Sequence, residues 1–166
     1  YNQLNPGPVS LDQALQDPVT KKLLETIIPA FNCPTDIGAP LNANRPLTDS
    51  TGAEHVVAKS NYAGARFGAF ENNGFTRIRD ITDGTSNTFL AGEKATPDLF
   101  LAALWAGATD HNPFDPAGIE AVLSECSIRM NTGTSNTGTS SPGQGYSSTH
   151  EGGAQFALCD GTVRFI

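Results

Sequence analysis

The sequence predicts an α+β domain in which short helices and long loops surround an antiparallel sheet. Three observations carry this prediction. Helix-start signals near the N-terminus bound only short stretches of apolar periodicity. Short apolar or alternating runs take over in the middle and at the end, the last two separated by Asp160-Gly161. Gly (17) and Pro (11) are moderately enriched, which suits short strands joined by turns better than a helical bundle. With 166 residues the chain is long enough for one core of its own, so residues 1–166 are read as a single domain.

The first element is a short helix opening at Ser10. Ser10-Leu11-Asp12-Gln13 has the capping-box form, with a hydroxyl at the N-cap and Gln three residues on. Asp17-Pro18 supplies a second N-cap with proline at the first helical position. Val19, Leu23, Leu24, Ile27 and Ile28 then recur at helical spacing until Pro29, which predicts an amphipathic helix over 18–28. From Cys33 to about residue 60, Pro34, Gly38, Pro40, Pro46 and Gly52 interrupt every longer periodicity, and an extended loop region is expected.

Strands are expected next. Phe75 to Arg79 alternates, and Thr88 to Ala91 is apolar enough to be buried on both faces, with a turn over Asp80 to Gly84 between them. Leu99 to Trp105 is apolar all round, which fits a core helix opening at Pro97 or a buried strand equally. Asp115-Pro116 repeats the cap-and-proline start and predicts a short helix over 116–124. Residues 131–149 are almost wholly Asn, Thr, Ser, Gly, Pro and Gln. That composition buries too little apolar surface to offset backbone ordering, and a flexible loop inside the domain is expected.

At the C-terminus, Asp160-Gly161 matches a two-residue type I′ turn between apolar runs, predicting strands near 154–159 and 162–166. That loop length sets Leu158 opposite Val163 and Phe156 opposite Phe165. All four apolar side chains would then share one face, with Gln155, Ala157, Thr162 and Arg164 on the other.

Charge and composition exclude some functions. The formal net charge is −7, and no basic run is longer than Lys21-Lys22, so nucleic acid is not an expected partner. The longest apolar run, Leu99 to Ala106, is far shorter than the about 20 residues a spanning helix needs. The chain opens at Tyr1 without a basic-then-apolar leader and reads as a mature or trimmed form. Cys33, Cys126 and Cys159 include no C-x-x-C pair, and allow one disulfide with one free thiol.

The ending then carries a resemblance. Nine residues separate His150 from Asp160-Gly161, and Glu151-Gly152-Gly153 follows the histidine. This resembles the C-terminal signature of a bacterial domain-of-unknown-function family whose members begin with a prepilin-type cleavage and methylation segment. Cys33-Pro34-Thr35-Asp36 resembles that family's Cys-Pro-Ser-Asp element. Asp80-Ile81-Thr82-Asp83-Gly84-Thr85-Ser86-Asn87-Thr88, leading to Gly92-Glu93, resembles its Thr-Asp-Gly-x-Ser-Asn-Thr element. The resemblance covers roughly residues 33–166, in the same order. Its motif positions are Cys33, Pro34, Asp36, Asp80, Thr82, Asp83, Gly84, Ser86, Asn87, Thr88, Glu93, His150, Gly152, Gly153, Asp160 and Gly161.

The resemblance implies a type II secretion pseudopilin or type IV pilin-like protein, with a long N-terminal helix, apolar in its first half, backing an antiparallel sheet. Tyr1-Asn2-Gln3-Leu4 resembles a stretch lying well after the prepilin segment, so that helix is expected upstream of Tyr1 and missing from this chain. The expected protein is a non-enzymatic ectodomain on the periplasmic or extracellular face of a bacterial envelope, membrane-anchored in full length. Its expected partners are other pilin-like or secretion-system subunits. In an oxidising envelope one disulfide persists. Cys159 lies beside a tight turn, which favours Cys33 with Cys126.

The residues themselves weigh against chemistry. Ser86, His150 and Asp160 or Asp83 could serve as nucleophile, base and orienter. His150 and Asp160, however, fall at opposite ends of an expected strand, roughly 20 Å apart, and Ser86 lacks the Gly-x-Ser-x-Gly elbow. His55, His111 and His150 are scattered, so no zinc site is expected. Asp80, Asp83, the Thr85 hydroxyl and Asn87 gather hard oxygens suited to calcium. Local capping of their own backbone is the favoured use, and no cofactor is expected. Two alternatives to the envelope protein stay open. One is an extracellular glycan- or peptide-binding module using Trp105 and Tyr62; the other is a hydrolase using His150.

Overall fold

The computed structural model describes residues 9–71, 74, 76–97, 101–109, 118–132 and 143–166. Helix α1 spans Leu11–Gln16. Ser10 accepts from the Gln13 amide while the Gln13 side chain accepts from the Ser10 amide, so both arms of the capping box form. Asp17 ends α1 and caps α2, Pro18–Leu24, by accepting from the Thr20 amide and hydroxyl. This second helix stops at Leu24 and not at residue 28. Thr26, Ile27 and Ile28 are β-branched, Pro29 disfavours helical geometry just before it, and a 3-10 turn follows at Pro29–Phe31. Leu15 and Leu24 bury against Leu47, Val57, Leu104 and Ala121 in the first of two hydrophobic clusters.

The segment from Cys33 to residue 60 carries more order than a loop. Strand β1 (Leu47–Thr48) pairs with β2 (Glu54–His55), and β3 (Lys59–Ser60) pairs with β6 (Ala103–Leu104). The latter pairing shows that residues 103–104 of the apolar Leu99 to Trp105 stretch are extended; residues 98–100 lie outside the described part.

A five-stranded sheet organises the rest, in the order β7-β4-β5-β8-β9. These strands are β4 (Tyr62–Arg66), β5 (Phe89–Glu93), β7 (Leu123–Glu125), β8 (Gln155–Leu158) and β9 (Val163–Phe165). Three pairings are antiparallel and β4–β7 is parallel, so the α+β expectation holds with a sheet that is mixed at one edge. The predicted strand over 75–79 does not form. Phe75 lies outside the described residues, and Ile78–Asp80 is a 3-10 turn closed by the Arg77 amide donating to the Asp80 carboxylate. No helix spans 116–124: residues 116–117 are not described, Ile119–Ala121 is a 3-10 turn, and Leu123–Glu125 is strand β7. Within 131–149, residues 133–142 are not described. Residues 143–149 are fixed: Tyr146 and Ser147 are buried, and Ser147 bonds through its backbone to Glu93 and Ala95. Among the described residues no helix is long and apolar enough to cross a membrane.

The C-terminal hairpin forms at its predicted place in a different register. The Gly161 amide donates to the Leu158 carbonyl and the Leu158 amide to the Thr162 carbonyl, leaving Cys159, Asp160 and Gly161 as a three-residue loop. Only Gly161 of these has positive φ (84°), which is a tight turn followed by a glycine bulge and not a type I′ turn. The added residue pairs Phe156 with Arg164 and Gln155 with Phe165. Phe156 and Phe165 therefore lie on opposite faces, contrary to the one-faced expectation. Phe156 and Leu158 are buried, and Phe156 packs on Tyr146 and Phe89 in the second cluster; Val163 and Phe165 are 62% and 51% exposed.

Candidate functional site

The site begins with the turn at Cys33 to Asp36, closed by the Asp36 amide donating to the Cys33 carbonyl (3.1 Å). Asn61, between β3 and β4, pins this turn to the sheet. Its side-chain oxygen accepts from the Cys33 amide (3.0 Å), and its Nδ2 donates to Asp36 and to the Lys94 carbonyl. Asp36 Oδ2 also accepts from the Thr96 amide (2.9 Å) and hydroxyl (2.7 Å), Oδ1 accepts from the Gly38 amide (2.9 Å), and Lys59 Nζ stands 3.5 Å away. Burial pushes the Asp36 carboxyl up, but these hydrogen bonds and the Lys59 charge outweigh it and hold the group below its ordinary range. Lys59 and Asp36 side chains are each 2% exposed, so this is a buried, fully bonded ion pair.

Glu93, at the end of β5, reaches the same turn. Its Oε2 accepts from the Ser148 hydroxyl (2.8 Å) and the Gln155 amide (2.9 Å). Its Oε1 lies 3.1 Å from His150 Nε2 and 3.9 Å from Cys33 Sγ. Cys33 Sγ is 3.5 Å from His150 Nε2, and the Thr35 hydroxyl sits 3.1 Å from the sulfur and 3.5 Å from that nitrogen. Burial raises the neighbouring Tyr62 phenol above its usual range, and Cys33 and Glu93 add to the effect. Cys33 and Glu93 are buried while His150 keeps 29% of its side chain exposed, giving the cluster one open side.

Cys33, Glu93 and His150 all stood among the predicted motif positions, in three separate stretches. The structure brings them together. Cys33 does not bridge to Cys126: all three cysteines are free thiols, with Cys33 in this cluster and Cys126 exposed beyond β7.

The central motif goes elsewhere. Thr88 immediately precedes β5, about 17 Å of strand from Glu93 at its far end. Asp80 Oδ2 accepts from the Arg77 amide and Oδ1 faces Arg79 at 3.7 Å, Asn87 Nδ2 donates to the Asp83 carbonyl, and the Thr88 hydroxyl donates to the Gly84 carbonyl. The Thr85 and Thr88 carbonyls accept from the Asp160 and Cys159 amides, so this turn supports the hairpin loop. Asp160 accepts from the Thr162 amide and hydroxyl, which hold its carboxyl below the ordinary range. Ser86, Asp83 and Asp160 thus stand with the hairpin loop, apart from His150. The Gly152-Gly153 pair has a backbone reason: a Cβ on Gly153 would lie 2.2 Å from the Ile166 carbonyl oxygen, where Ala154 and Ile166 exchange backbone hydrogen bonds.

A cysteine–histidine contact suggests thiol activation, but a relay needs the two ring nitrogens of the histidine to serve different partners. Here the same nitrogen, Nε2, faces both Cys33 and Glu93. Among the described residues these are the Cys, His and carboxylate ligand atoms that converge. Residue spacing gave no sign of it, because the contacts span 57 to 117 residues.

The profile of a family described as a protein of unknown function (DUF1559) matches residues 5–166. No curated protein and no solved structure matches the chain.

Proposed function

The chain belongs to the DUF1559 family, and on that premise we propose that it is the head of a pilin-like protein of the bacterial envelope. Its role is structural or assembly-related, in a type II secretion or type IV pilus-like system, and non-enzymatic. A long apolar helix encoded upstream of Tyr1 anchors it in the membrane and packs on the sheet, leaving the head on the periplasmic or extracellular side. Its partners are other pilin-like or secretion-system subunits.

One observation carries this reading: the outer face of the five-stranded sheet. The register aligns Leu123, Gly64, Ala91, Ala157 and Val163 in one row across all five strands. Ala91 and Ala157 form a floor of small side chains. Phe70, which stands over Gly64, rises on one side at 41% exposure, with Val163 and Phe165 on the other. A helix can approach such a floor closely and bury the rims, each half-exposed large side chain contributing about 1 kcal/mol when covered, roughly half of what full burial gives.

The test is fractionation of the full-length gene product. It should sediment with membranes and become soluble when the segment before Tyr1 is deleted. A full-length product that is soluble and has no apolar segment before Tyr1 would contradict the reading, and a binding module would take its place.

A further inference from the structure

We propose that Cys33, Glu93 and His150 bind one zinc-class divalent cation that ties three distant segments of the head together. The geometry is that of three vertices of a tetrahedron. Zinc bonds of about 2.3 Å to sulfur and about 2.0–2.2 Å to nitrogen and oxygen, at tetrahedral angles, set ligand atoms about 3.3 to 3.6 Å apart. The observed separations are 3.1 Å (N to O), 3.5 Å (S to N) and 3.9 Å (S to O). Small side-chain rotations close the difference.

The surroundings fit the same ion. Glu93 spends Oε2 on the Ser148 hydroxyl and the Gln155 amide, which fixes the carboxylate and turns Oε1 toward the cluster, as outer-shell partners of metal ligands do. Cys33 is held by the hydrogen bond its backbone amide donates to the Asn61 side-chain oxygen, and His150 by the hydrogen bond its backbone amide donates to the Ser148 hydroxyl. Thiolate and carboxylate together neutralise a divalent charge, with neutral imidazole as the third ligand. The mixture of sulfur, nitrogen and one oxygen suits zinc better than calcium or magnesium. The Thr35 hydroxyl stands 3.1 Å from the sulfur and 3.5 Å from the imidazole nitrogen, with the Thr149 hydroxyl 3.4 Å beyond it, so a water completing the tetrahedron would find hydroxyl partners beside the cluster. Binding breaks only the Cys33 S–H bond, and that proton leaves to the buffer.

The experiment titrates the chelator-treated 166-residue chain with cobalt(II) and with zinc alone. One equivalent of cobalt should produce a sulfur-to-metal charge-transfer band and the intense visible bands of tetrahedral coordination. Either metal, added to the metal-free chain, should release one proton, and zinc should then displace cobalt with loss of the bands and no further proton release. The C126S/C159S double variant removes two thiols that lie outside the buried core, leaves Cys33 as the sole thiol, and should keep the band unchanged. C33S should lose the band, and E93Q and H150A should weaken binding at least about 100-fold. Absence of one-equivalent binding, loss of the band in C126S/C159S, or wild-type affinity in H150A would overturn the proposal. Membrane sedimentation of the full-length product is read separately, so the two proposals fail independently.

Discussion

Cys33 Sγ lies 3.5 Å from His150 Nε2 although the two are 117 positions apart in the chain. Glu93 meets both, so a turn, a strand end and a loop preceding the last hairpin meet at one point that is open on a single side. The Asp36–Lys59–Asn61 network lies directly behind it and positions the turn that carries Cys33.

That network should be among the least tolerant parts of the head. Asp36→Ala leaves the Lys59 charge without its counter-charge and the Gly38 and Thr96 amides and the Asn61 side chain without their acceptor, and should cost about 3–5 kcal/mol in urea unfolding. Lys59→Met leaves Asp36 with its remaining donors and should cost clearly less. Equal losses would contradict this ordering.

The hairpin loop makes a conformational prediction. A Cβ at Gly161 meets nothing within 4 Å, but its φ is 84°. Gly161→Ala should therefore destabilise by about 1–2 kcal/mol through backbone strain alone, and Gly161→Asn by less. A neutral Gly161→Ala in denaturant titration would contradict the observed loop.

Asp49 ties stability to acid pH. The Thr51 hydroxyl is the largest influence and His55 the next, with the Ala53 and Thr51 amides adding, and together they hold its carboxyl far below the usual range. A depressed folded-state value stabilises above the unfolded value of about 3.9, and that stabilisation is lost as pH falls below it. The stability gap between wild type and Asp49→Asn should narrow as pH falls from about 5 through the acid range. A gap that widens below about pH 5 would contradict the sign.

What the sequence made legible was local. Ser10 with Gln13, and Asp17 with Pro18, act within one helical turn, and both caps form as their residue types require. The last hairpin was legible in place but not in register, because Asp-Gly serves both a two-residue turn and a three-residue loop ending in a glycine bulge. Strand β4, Tyr-Ala-Gly-Ala-Arg, was not legible: it lacks β-branched residues and is held by pairing on both sides with β5 and β7. For the same reason the residues of the Cys33–Glu93–His150 cluster could be singled out one by one, while their meeting depends on tertiary packing.

The coordination shell of a bound metal tests that meeting most directly. In zinc-edge X-ray absorption of the zinc-loaded 166-residue chain, the first shell should contain one sulfur at about 2.3 Å and three nitrogen or oxygen atoms at about 2.0–2.2 Å. A shell with no sulfur, or with two, would contradict the convergence of Cys33, Glu93 and His150 on a single ion.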